Sequence, residues 1–230
     1  MKNNKGVFTF ILNRNSRILL PVLAVMTVME AVFFNYLTVN IVFVAALSVI
    51  MLYHAYRPDN GSRYFLARLS AGEGERFVYN CLADILCQML VWLYQSVLLY
   101  LLIRYRQKPL ADAAGWGFVF QDRALFPFFA GGQLLTVVRN VVIIITAGVL
   151  DAVSEVSEQN ETVGLFRYFS KVLCLAVIAL YRCDVYRRFI SAPDIGLLAA
   201  AVMTAVMAGR VYRGLKSGKE IEENEEEISD

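Results

Sequence analysis

Glu30, Asp84 and Arg139 are charged residues set inside long apolar stretches. Burying a charge in lipid is costly, so such a residue faces a partner, a polar cavity or a subunit interface. Counted at 1.5 Å per residue, Asp84 lies about 12 Å and Glu30 about 18 Å from the start of its stretch. Arg139 lies about 9 Å from the inner face. If the helices carrying Asp84 and Arg139 are antiparallel neighbours, the two charges meet at one depth. An ion pair between them is the first expectation. Glu30 is the second candidate partner for Arg139, and separate polar cavities or a subunit interface are the remaining alternative.

Other chemistry finds little support in the residue types. His54 is the single histidine, with no cysteine or carboxylate cluster at ligand spacing, so no metal site is expected. Cys81, Cys87, Cys174 and Cys183 lack CxxC spacing and read as small apolar packing residues. No serine has an evident base, and paired intramembrane aspartates of the protease kind are missing, so no catalytic residue is assigned. There is no GxxxxGK[ST] phosphate loop, so this chain is not expected to hydrolyse nucleotide by that route. The sequence also lacks the basic, aromatic-interleaved segments that bind nucleic acid.

These charges must be positioned by elements built for lipid. Of the 230 residues, 58% are hydrophobic, and several apolar runs approach the length needed to cross a hydrocarbon core about 30 Å thick. The fold class expected is all-α, a polytopic integral membrane protein with about six transmembrane helices, N-in and C-in. The spans are placed near 18–36, 39–56, 77–103, 125–150, 165–181 and 190–209. The fifth is short and carries Arg167 and Lys171 near its start, so a re-entrant segment is its alternative. Helices rather than a barrel follow from span length and the absence of period-two alternation.

Residues 1–17 form an N-terminal segment read either as an interfacial helix, with Arg14 and Arg17 outside the lipid, or as a basic flank. The transmembrane domain covers 18–213, including a cytoplasmic loop at 57–76. The tail, 214–230, is rich in Glu and is expected to be disordered, because the like charges repel and bury no apolar surface. Lysine and arginine flanks set the orientation. The N-terminus, the 57–76 loop and the start of the tail hold more of them than the two opposite loops. Ala201, Ala205 and Gly209 recur at four-residue spacing, which lets two helix backbones approach within the subunit or across a dimer seam.

The 57–76 loop reads RPDNGSRYFLARLSAGEGER. Tyr64, Phe65, Leu66 and Leu69 form an apolar cluster on one side of a short helix, flanked by Arg63 and Arg68. Such a helix docks in a partner's groove or lies on lipid. The layout resembles the membrane subunit of a type-2 ABC exporter, in which an interfacial helix precedes six spans. In that family a coupling helix between spans two and three docks on the nucleotide-binding subunit. Leu69, Ala71, Glu75 and Phe77 fit the family's element leading into span three. Ser70 stands where the family has proline, Gly72 where it has serine or threonine, and Glu73 where it has a basic residue.

The resemblance implies a permease that pairs with a second permease, identical or similar, and with separate ATP-binding subunits. It implies no cofactor on this chain, with ATP-Mg held by the partner. Arg63, Tyr64, Phe65, Arg68, Leu69 and Glu73 would couple to the ATPase, while Glu30, Asp84, Gln133 and Arg139 would line or brace the interior. The location it implies is a cell membrane, that of a bacterial plasma membrane. A non-transporting scaffold or sensor subunit, and an ion-coupled carrier using Glu30 or Asp84, are the alternatives.

Overall fold

The computed structural model describes residues 4–34, 36–56, 72–106, 134–156 and 192–229, with isolated helical positions at Val172, Leu175 and Ala176. The described residues form helices α1 (Asn4–Ser16), α2 (Leu19–Val32), α3 (Tyr36–Tyr56), α4 (Glu73–Arg106), α5 (Leu134–Val156) and α6 (Ala192–Ser229), with no strand among them. Three segments are long and apolar enough to cross a membrane: Gly6–Val32, Glu73–Arg106 and Ile195–Leu215. The expected fifth span at 165–181 falls almost wholly outside the described residues. The loop residues Arg63, Tyr64, Phe65, Arg68 and Leu69, as well as Gln133, also lie outside them.

Local chemistry explains the breaks. Pro21 sits in the first turn of α2, where its missing N–H is harmless. It cannot donate to the carbonyl of Arg17 four residues earlier, and its ring crowds that carbonyl, so the helix is interrupted at Arg17–Ile18. Helix α2 alone has 14 residues, about 21 Å, which is short of a bilayer core. The first membrane-length run is therefore α1 and α2 together, rather than 18–36 alone. Helix α4, at 34 residues, contains no proline. Glu73 and Glu75 occupy its first turn and Arg104 and Arg106 its last, which complements the helix dipole at both ends. It is about 51 Å long and extends beyond a hydrocarbon core.

Side-chain contacts along α4 set the direction of its neighbours. The rings of Phe8 and Tyr79 meet edge-on at 6.0 Å, Asn15 bonds Asp84, and the hydroxyls of Thr27 and Tyr94 touch. Positions advance together on both sides, so α1 and α2 run beside α4 in the same sense. Helix α3 begins at Tyr36, soon after α2 ends, and returns in the opposite sense, stacking Phe43 edge-on against Trp92 at 4.9 Å. On α5, Gly148 lies against Ile85 and Asp151 bonds Gln88. Both contacts advance by three residues on each helix, the register of helices running in the same direction. Helix α6 brings Tyr212 to Gly74 at the start of α4, with buried Leu197, Ala200, Thr204 and Met207 preceding it along the bundle. It therefore runs against α4.

Two expectations change here. Within the N-terminal segment, α1 does not stand apart as a surface element. Val7 and Ile11 are buried with Ala83, and Arg14, expected outside the lipid, is 7% exposed while Arg17 is exposed. The acidic tail was expected to be disordered, yet α6 continues as helix to Ser229. Glutamate and lysine are good helix formers.

Candidate functional site

Helix α4 supplies the spine of the site. Asn80, Asp84, Gln88 and Gln95 fall within an arc of about 80° when each residue turns the helix by about 100°. All four are buried. This face points into the bundle, while Leu82, Leu86, Leu90 and Leu93 are exposed on the other side. A polar stripe turned inward and leucines turned outward is the inverse of a soluble helix and suits a lipid surround.

At the end where α4 begins, α1 meets this face. Arg14 donates from Nη2 to Asn80 Oδ1 at 3.2 Å and from Nε to Asn15 Oδ1 at 3.2 Å. Asn15 in turn donates from Nδ2 to Asp84 Oδ1 at 2.7 Å. The neutral amide thus links a buried guanidinium to a buried carboxylate. Charge-assisted hydrogen bonds of this kind are what make a buried ion tolerable. One turn on, Gln88 donates from Nε2 to Asp151 Oδ2 of α5 at 3.0 Å, with Asp151 fully buried.

Further along, three polar residues reach one level. The Thr27–Tyr94 contact puts Glu30 beside residue 97 of α4, and the Phe43–Trp92 contact puts Asn40 beside Gln95. Glu30 is 0% exposed and Asn40 and Gln95 are each 1% exposed. Both amide atoms of Gln95, and Oε1 of Gln88, find no hydrogen-bond partner among the described residues. From Asn80 to the level of Glu30, buried polar groups extend over about 25 Å, most of a hydrocarbon core. Among the described residues the interior offers carboxylates, amides and the Arg14 guanidinium in a row, the chemistry of a path or brace for a polar or charged solute.

The expected residues sort unevenly. Glu30 and Asp84 face the interior. Arg139 is half-buried on α5, but the shared direction of α4 and α5 sets it about 12 Å along the bundle from Asp84. The antiparallel adjacency behind the expected Asp84–Arg139 pair is absent, and Glu30, about 20 Å from Asp84 along the axis, belongs to a separate level. Glu73 is exposed in the first turn of α4.

The small-residue seam also moves. Ala201 and Gly209 are half-buried and Ala205 is exposed, and a Cβ placed on Gly209 would meet nothing within 4 Å. The close helix crossing is at Gly148 instead. Gly209→Ala is therefore expected to leave stability unchanged or raise it by up to about 1 kcal/mol through helix propensity. Unfolding in mixed micelles measures this.

Residues not singled out from sequence carry much of the site: Asn15, Asn80, Gln88, Gln95 and Asp151, joined by Arg14, which was expected at the lipid surface. The four-residue spacing of Asn80, Asp84 and Gln88 in the longest apolar segment was the available signal for α4. Compared with known protein families, curated proteins and solved structures, the chain matches none.

Proposed function

We propose that the chain is the membrane-spanning permease subunit of an ATP-driven exporter of the ABC kind. It acts with a second permease and with a separate ATP-binding chain that carries ATP-Mg. One observation carries this reading. The start of α1, the end of α3, the start of α4 and Tyr212 of α6 all gather at one end of the bundle. Residues 57–71 connect α3 to α4 at that end, which is where the resemblance puts the coupling helix. An ATPase docked there would touch the N-terminal helix, this loop and the emerging tail together. Its closure on ATP would then move α4, the helix that carries the polar face, in an alternating-access cycle. In this reading that end faces the cytoplasm.

The experiment is capture of the tagged chain from its native membrane, with ATP hydrolysis measured in the eluate. The permease reading expects a co-purifying ATPase. A second reading, an ion-coupled carrier, draws on the three buried carboxylates Glu30, Asp84 and Asp151. That protein would move its cargo in vesicles without ATP and with a dependence on the ion gradient. A scaffold or sensor would bind its partner and move nothing.

A further inference from the structure

Gln95 of α4 is 1% exposed, and both ends of its side-chain amide, Nε2 and Oε1, lack a hydrogen-bond partner among the described residues. Asn40 and Glu30 stand at its level, yet neither bonds it. A buried amide with no bond made is costly, and a folded core rarely keeps one. In a hydrocarbon surround there is no bulk water to meet it either. Such a group points to a partner that comes from outside the chain.

The same need recurs on this face. Gln88 lies seven residues earlier, about 10 Å along α4 and within about 20° of Gln95 around it. It is also 1% exposed, and its Oε1 has no partner among the described residues, although its Nε2 donates to Asp151. Two amides with unmet capacity on one inward face argue for a guest in the interior rather than for one misplaced side chain. The Phe43–Trp92 ring contact holds α3 against α4 one turn before Gln95, so the guest at Gln95 lies near the α3–α4 contact.

The amide itself selects the class of guest. A cation would meet Oε1 and leave Nε2 unmet, and an anion would do the reverse. A ligand that both donates and accepts completes the group. We propose that Gln95 is a binding residue for a small neutral ligand that offers a donor and an acceptor together. Water and the carboxamide of a polar solute share this chemistry. At 1% exposure the site is closed, which restricts the guest in this conformation to a molecule of a few heavy atoms. A buried water commonly makes two to four bonds to such groups. Under the permease reading, Gln95 is then a contact for polar cargo. Binding is measured with no ATPase present, so failure here leaves that reading untouched.

The test uses the full chain in detergent micelles, with its glutamine side chains isotope-labelled and followed by NMR. The Gln95 amide signal is the one lost in Gln95→Met. Gln95→Asn, which keeps a polar amide but not the label, assigns the same signal if the apolar variant does not fold. A magnetisation-transfer contact from the Gln95 N–H to water is expected in plain buffer. Acetamide then separates the two sources. A saturable shift of the Gln95 signal, with loss of its water contact, identifies a site that takes a carboxamide. A water contact that acetamide leaves unchanged identifies solvent water as the guest. Absence of both a water contact and a saturable acetamide shift at Gln95 overturns the proposal. So does a saturable shift produced by sodium chloride in a protein whose Gln95 shows no water contact.

Discussion

Gly148→Leu is expected to cost the most stability of any single change in the described bundle, on the order of 3 kcal/mol or more by unfolding in mixed micelles. A Cβ at this position would lie 2.6 Å from the backbone nitrogen of Ile85 and 2.7 Å from both its Cα and Cγ1. Two of those atoms are backbone, so the strain cannot be relieved by turning a side chain, and α5 must move off α4. Gly148→Ala sharpens the point. Helix propensity alone favours alanine by about 1 kcal/mol, yet the close crossing predicts net destabilisation of about 1–3 kcal/mol. A stabilised Gly148→Ala protein would contradict the crossing. The contrast with Gly209, which has no neighbour within 4 Å, makes the pair of alanine variants an internal control.

The second large effect is expected at Asn15. Its side chain donates to Asp84 and accepts from Arg14, so Asn15→Leu removes a hydrogen bond from two buried ions at once. The expected loss is about 3 kcal/mol, because an ion buried with a bond unmade costs more than a neutral group. Adding Asp84→Leu to Asn15→Leu removes the carboxylate that was deprived, and about 2 kcal/mol should return. Losses that simply add in the double variant would show that the amide does not bridge the two charges.

The helical, membrane-suited character of the chain was legible because apolar runs of this length leave few other states. Glu30 and Asp84 were legible as interior groups for the same reason: a lone carboxylate in such a run has few affordable places. The direction of α5 was not legible. Sequence adjacency suggested an antiparallel neighbour, and only the Gly148–Ile85 and Gln88–Asp151 contacts reveal a helix running with α4. Asp151 was hidden by a boundary. The fourth span was placed at 125–150, one residue short of it, yet α5 carries it inside the helix to Val156. Arg14 read as an anchor at the lipid surface because basic residues usually mark the membrane edge. Asn80 and Asn15 instead draw it into the bundle with hydrogen bonds that sequence spacing across 66 residues does not announce.

The coupling assignment rests on Phe65 and Leu69, apolar positions in the sequence that joins α3 to α4. The most direct measurement is ATP hydrolysis by the co-purified complex in lipid nanodiscs, comparing wild type with the Phe65→Asp, Leu69→Asp double variant. The permease reading predicts that the ATPase is released from the variant, or that its stimulation by the membrane chain falls at least about tenfold, as loss of an apolar anchor worth more than about 1.4 kcal/mol requires. Undiminished binding and hydrolysis in a folded double variant would contradict it.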